Sequence, residues 1–122
     1  MLNVNKYLGD ALAAGGINLP AAEEPMTKQI IGSYITWEHG DVVQLMASGV
    51  SFETRYKLTL LIWVAPEDTD WQELTTRVGS ALEKYNAIQN VQCGVSLVRG
   101  AQDVPELNRK LVQMSVLIAD RR

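Results

Sequence analysis

The chain has 122 residues, 47% of them hydrophobic, which fits one domain of ordinary size with a core of its own. Its formal net charge is −3, and the only adjacent basic pairs are Arg109-Lys110 and Arg121-Arg122, which argues against a nucleic-acid partner. The single cysteine, Cys93, excludes an intrachain disulfide and gives no sign of an oxidising compartment.

No stretch of the sequence indicates a membrane span or export. The longest apolar runs, such as Leu60 to Ala65, are far shorter than the ~20 residues that cross a bilayer. The N-terminus lacks the charged start and the small-residue cleavage site of a signal peptide. We therefore expect a soluble, cytosolic protein.

The N-terminal part of the chain predicts one helix followed by a loop. Residues 2–14 have the spacing of an amphipathic helix, with Asn3 or Asn5 as its cap and Gly15-Gly16 at its end. Its apolar side is formed by Tyr7, Leu8, Ala11 and Leu12. The segment Ile17–Lys28 contains two prolines and no regular period, so we expect a long exposed loop.

The next segments predict strands. Ile30–Trp37 and Asp41–Ala47 are expected to form an antiparallel hairpin around Glu38-His39-Gly40. Ser48-Gly49 is read as a further turn or bulge before a long strand, Thr54–Val64, whose earliest start is Val50. Alternate residues of this strand share one apolar face: Thr54, Tyr56, Leu58, Leu60, Ile62 and Val64.

A helix is predicted at Trp71–Tyr85. Asp70 is its expected N-cap, with Glu73 three residues later as in a capping box. Its apolar stripe comprises Trp71, Leu74, Val78, Ala81, Leu82 and Tyr85. We expect this stripe to pack on the apolar face of the long strand.

The C-terminal part predicts two more strands. Val91–Leu97 alternates apolar and small or polar residues, and the helical crossover makes it parallel to the long strand if both share a sheet. Arg99–Pro105 is expected to be a loop, and Leu107–Ala119 a last strand antiparallel to its predecessor. The whole chain, 1–122, therefore predicts a single α+β domain. Its sheet is mixed and mainly antiparallel, with about five strands, and it packs an N-terminal helix and one crossover helix.

No residue pattern indicates catalysis, a cofactor or a metal. His39 is the only histidine and is expected in a solvated turn, while Cys93 has the surroundings of a small buried residue. The acidic cluster Glu67, Asp68, Asp70 and Glu73 lies at a helix start, where carboxylates interact favourably with the helix dipole. We expect a protein that is not an enzyme and has no catalytic, cofactor-binding or metal-binding residues.

One apolar patch is predicted on the face of the long strand that the crossover helix does not cover. Its members are Leu61, Trp63, Val98 and Leu111. Either the N-terminal helix covers them, giving a closed three-layer monomer, or both helices share the other face and the patch meets another subunit. In the second case these four residues form an oligomer interface.

The order of elements resembles that of the tail-terminator, or minor tail completion, proteins of long-tailed bacteriophages and prophages. The segments that carry the resemblance are Tyr56–Val64, Asp70–Tyr85 and Leu111–Ile118. The resemblance implies a homo-oligomeric ring, usually a hexamer, that caps the tail tube and ends its growth. The implied partners are the tail tube protein and the head-completion protein, and the implied location is the bacterial host cytoplasm during assembly, then the virion tail.

Two other classes remain open. A small α+β metabolite-binding or regulatory domain, acting as a dimer, would need a pocket with convergent polar groups, and the sequence shows no candidate set. A small enzyme would need a reactive constellation of side chains. If the resemblance holds, the loop Ile17–Lys28 suits a contact that becomes ordered on assembly.

Overall fold

The structure, a computed structural model, describes residues 2–24, 30–85 and 90–121. Within these ranges two α-helices, α1 (Val4–Ala14) and α2 (Trp71–Lys84), lie against one five-stranded sheet. The strands are β1 (Ala21–Glu23), β2 (Tyr34–Ala47), β3 (Val50–Val64), β4 (Val91–Val104) and β5 (Arg109–Arg121), and a short 3-10 helix covers Pro105–Leu107. The predicted α+β fold, with an N-terminal helix and a crossover helix on a mixed sheet, is confirmed. Neither described helix has the length and hydropathy to span a membrane.

The strands lie in the order β1-β2-β3-β5-β4. The pairs β2/β3, β3/β5 and β5/β4 are antiparallel, and β1 pairs parallel with β2. Because β5 returns between β3 and β4, β4 runs parallel to β3 without being its neighbour. The last two strands form the predicted antiparallel pair.

Both helices begin at side-chain caps, as the sequence predicts. The Asn3 side chain accepts a hydrogen bond from the Lys6 amide at 3.1 Å, and the Asp70 carboxylate accepts one from the Glu73 amide at 3.0 Å. These side chains satisfy amides that have no partner inside the first helical turn. At the end of α1, Gly15 is the cap and Gly16 has a φ of 76°, a conformation that glycine adopts without steric cost.

The two helices share one face of the sheet. The rings of Tyr7 and Tyr85 meet edge to face at 5.2 Å, and the Tyr7 hydroxyl donates to the Tyr85 carbonyl at 3.0 Å. α2 lies closest to β4. Gly79 permits this approach, because a Cβ at that position would lie 3.3 Å from the Val95 side chain. The structure therefore places both helices on one face, as the second alternative predicts; the contact with another subunit stays a prediction.

The predicted hairpin between Ile30–Trp37 and Asp41–Ala47 is wrong. The chain forms one continuous strand, β2, from Tyr34 to Ala47. Its register against β3 shifts between His39 and Val42. A Cβ at Gly40 would lie 3.1 Å from the Lys57 carbonyl oxygen, so the glycine permits a close approach of β3 at this bulge rather than a turn. The hairpin turn is Ser48-Gly49, where both residues have positive φ, as a tight two-residue turn requires.

Two predicted loops are also corrected. Arg99–Pro105 is not a loop, since β4 continues through two register shifts to Val104 and the chain turns at Pro105–Leu107. In Ile17–Lys28, Ile17 is buried and Ala21–Glu23 forms β1, so its described part is not an exposed loop. Residues 25–28 of that prediction lie outside the described residues.

Candidate assembly surfaces

His39 is exposed, as predicted, but it lies in strand β2 and not in a turn. Its Nε2 is 2.8 Å from Asn5 Oδ1 and 3.4 Å from Glu23 Oε1. Trp37 Nε1 donates to the same Asn5 oxygen at 2.8 Å. The histidine thus joins α1, β1 and β2 at one polar cluster, which gives it a structural role.

Cys93 is buried, as predicted, with 8% of its surface exposed. Burial raises the pKa of its thiol to about 12, and the negative charge of Glu83 adds to the effect. The thiol therefore stays protonated near neutral pH, whereas a nucleophilic cysteine requires the thiolate. In the described ranges, no three His, Cys, Asp or Glu side chains come together as a metal site would need.

The acidic cluster before α2 makes local hydrogen bonds. Asp70 caps the helix, and Asp68 accepts a hydrogen bond from the Ser33 hydroxyl. Ser33 is buried and also accepts a hydrogen bond from the Ala65 amide at 2.9 Å, so it joins the end of β3 to the segment before β2. These contacts give the carboxylates of Asp68 and Asp70 structural roles at the helix start.

The sheet face opposite the helices is here called the open face. On β3 it carries the alternate residues from Glu53 to Trp63, and on β5 those from Leu111 to Arg121. Both described helices lie on the other face, which the core cluster fills. Within the described residues, neither helix covers the open face.

The structure brings three of the four predicted interface residues together on the open face. Trp63 and Leu111 are register partners on β3 and β5, and Leu61 is two residues from Trp63. Val98 is 60% exposed but lies on β4, at the register shift between Leu97 and Arg99. The predicted patch is thus divided between the open face and the edge strand.

The chain itself covers much of this patch. Leu61 is only 7% exposed, and Trp63 is half-buried. The Tyr34 ring stacks on Trp63 at 5.8 Å, and Trp63 Nε1 donates to Thr36 Oγ1 at 2.9 Å. Trp63 is therefore held by its own chain, and less apolar surface remains for a partner than the sequence predicts.

The other end of the open face is charged. Glu53 is almost fully covered, with its carboxylate 2.9 Å from Arg121 Nε and 2.5 Å from Arg55 Nε. The hydrogen bond from Arg121, followed by that from Arg55, holds the pKa of Glu53 below its usual range. This ion pair cluster ties the end of β5 to β3.

The β2–β3 hairpin exposes apolar side chains that sequence reasoning missed. We call Val42, Met46, Val50 and Phe52 the apolar tip; their exposed fractions range from 45% to 67%. In the described part of the chain, β5 pairs with β3 as far as Glu53, and the hairpin continues beyond that pair to its turn at Ser48-Gly49. The sequence does contain a signal for this exposed apolar hairpin, since the eleven residues Val42–Phe52 carry no charge.

A groove of about 570 Å³ lies at the opposite end of β3 and is here called the end groove. Its apolar lining consists of Val64, Ala65, Pro66, Trp71, Val104 and Pro105. Two further grooves, of about 480 and 500 Å³, lie beside the helices. All three volumes fall in the range of ligand pockets, so size alone does not distinguish a small molecule from a protein segment.

Comparison with known proteins gives a fold and no family. No protein-family model and no curated protein matches the chain. Thirteen chains of solved structures do match. One of them, a protein known by an identifier rather than a functional name, has a TM-score of 0.59 and 13% identity, and the match covers 98% of this chain and 90% of that one. At this identity the similarity shows that the two chains share a fold.

Proposed function

We propose that this chain is a non-enzymatic structural protein of a phage or prophage tail. In this proposal, copies of the chain form a closed ring that caps the tail tube, ends its growth and presents a face to the head-completion protein. The proposal rests on the layout that resembles tail terminators and on one structural observation, the long, exposed and uncharged hairpin Val42–Phe52.

That hairpin supports self-assembly because its apolar side chains are exposed in the described chain. The hairpin Val42–Phe52 is long, uncharged and exposed, and such hairpins in a soluble monomer invite aggregation. A contact between two different surfaces of identical subunits repeats around an axis and closes into a ring when the rotation allows. Burial of the hairpin between subunits of a ring would remove this tendency to aggregate.

The surroundings of the reactive side chains support a structural role over an enzymatic one. Cys93 is buried as a protonated thiol, and His39 contacts Asn5 and Glu23. Asp68 and Asp70 are engaged by local donors. The alternative of a dimeric regulatory domain predicts a particle of two subunits, which mass measurement separates from a ring.

Purified tail tubes test the proposal. The protein is added to tubes of defined length with free tube subunits, and electron microscopy records where it binds and whether the tubes lengthen. We expect binding confined to tube ends and an arrest of growth. Binding along the tube wall, or continued growth in the presence of saturating protein, would contradict the proposal; tubes without the protein provide the control.

A further inference from the structure

We infer that the apolar tip of one subunit docks into the end groove of the next copy. This inference rests on the proposed self-assembly and names the surfaces that carry it. Both surfaces belong to the same chain, one projecting and one recessed, so the inferred occupant of the groove is a second copy.

The apolar tip is narrow and exposes large apolar side chains, which suits insertion into a groove. The two-residue turn at Ser48-Gly49 keeps the hairpin narrow, and a Cβ at Gly49 would meet no atom within 4 Å. Phe52 and Met46 present large apolar side chains, 45% and 57% exposed, close to this turn. Removal of such side chains from water is favourable by about 25 cal/mol per Å² of apolar area.

The charges that line the end groove balance one another. Its four charged residues, Asp68, Asp103, Arg109 and Lys110, sum to zero. Asp68 accepts a hydrogen bond from Ser33, and the exposed residues Asp103 and Lys110, of opposite charge, lie opposite each other across β4 and β5. Opposite charges in facing positions of two strands attract each other.

Arg109, the remaining charge, is held by the chain's own backbone. Its guanidinium donates to the carbonyls of Ile30 and Gly32 at 3.1 and 3.2 Å. It also donates to the carbonyls of Leu107 and Asn108 at 3.2 and 3.0 Å. An uncharged hairpin therefore adds no charge to a groove whose own charges sum to zero.

The tip and the groove lie at opposite ends of the molecule. β3 runs from Val50, beside the turn, to Val64, in the groove wall, a distance of about 45 Å at the usual rise of a strand. A subunit cannot fill its own groove with its own tip. The contact is therefore intermolecular. It is heterologous, and can close into a ring, when each copy gives its tip to one neighbour and receives the tip of another.

Disulfide trapping tests the contact directly. In a Cys93→Ser background, Met46→Cys is combined with Thr69→Cys, an exposed lining residue of the end groove. Diamide oxidation should then give a covalent ladder of subunits on a non-reducing gel, with or without tail tubes. The control pair, Met46→Cys with Ser115→Cys on the open face, should give none. A ladder in the control pair alone, or in neither pair although the protein forms rings, overturns the inference.

A charge at the tip provides the second measurement. Phe52→Glu should raise the concentration for half-assembly at least about tenfold, because the carboxylate would be buried without a partner. The matched control is Leu117→Glu, which places the same charge on an exposed apolar residue of the open face. If Leu117→Glu abolishes the ring and Phe52→Glu does not, the interface lies on the open face.

The two proposals fail in different ways. If Phe52→Glu leaves the ring intact and abolishes only binding to tube ends, the tip meets the tube protein and the inference is wrong while the proposed function stands. If rings form and link through Met46 and Thr69 but do not cap tubes, the inference stands and the proposed function is wrong. Circular dichroism of each variant confirms that it is folded.

Discussion

Glu53 shows how a single residue on the open face is stabilised. Its carboxylate is covered by neighbouring side chains and accepts hydrogen bonds from Arg121 and Arg55. The arginines favour the charged form, so the pKa of Glu53 is lower in the folded state than in the unfolded chain. A lowered pKa contributes stability above the unfolded value, about 4.3, and this contribution is lost as the pH falls through the folded value.

Replacement of Glu53 by Gln should therefore flatten the acid side of the stability profile. The wild type should lose this contribution as the pH falls from about 4.3, whereas Glu53→Gln should lack it at every pH. Urea unfolding between neutral and acidic pH measures both proteins. Parallel profiles for the two proteins would show that Glu53 does not contribute through its charge.

Cys93 yields a second prediction at the residue scale. Cys93→Ser places a hydroxyl in a buried site and should lower the free energy of unfolding by about 1–2 kcal/mol. Assembly should change only as far as stability does. A variant of unchanged stability that no longer assembles or caps tubes would indicate a chemical role for the thiol.

At the scale of elements, helix α2 carries the clearest packing prediction. Val78 and Leu82 are fully buried in the same core cluster as Leu60 and Ile62. Leu82→Ala should reduce the free energy of unfolding by about 2–5 kcal/mol, because it leaves a cavity in a closely packed core. Glu83→Ala, one residue away and exposed, should change it by less than about 0.5 kcal/mol. A similar small loss for Leu82→Ala would mean that the helix stripe is wrong.

The sequence predicted the elements whose signals are local. Asp70 and Asn3 mark helix starts, and the alternation in Thr54–Val64 marks a strand face. The elements that depend on distant residues were missed. In the sequence, Gly40 resembles a turn glycine, because the close approach of Lys57 from the neighbouring strand is visible only in the structure. The three-residue strand β1 is too short for a sequence pattern and depends on its pairing with β2.

The candidate surfaces show the same difference between local signals, which the sequence reveals, and contacts between distant residues, which it does not. Alternation along β3 and β5 correctly placed Leu61, Trp63 and Leu111 on one face. Their cover by Tyr34 and Thr36 could not be predicted, because it depends on the register of β2 against β3. The sequence does not reveal the apolar tip, because it predicts Asp41–Ala47 as a separate short strand and so gives a shorter hairpin than the observed β2–β3 pair.

At the scale of the whole molecule, the two ends of the sheet differ. Within the described residues, the helices lie on one side of the sheet, the hairpin continues beyond the last β3–β5 pair at one end, and the groove lies at the other. In the proposed assembly, the projecting end of one copy meets the recessed end of the next.

Size-exclusion chromatography with light scattering, over a range of protein concentrations, tests this central claim most directly. The account predicts a particle with one fixed mass, a multiple of the subunit mass, and six subunits if the tail-terminator resemblance holds. Where free subunits persist, the same particle should appear when tail tubes are added. A mass that remains that of one or two subunits at every concentration, with no larger particle on tube ends, would contradict it.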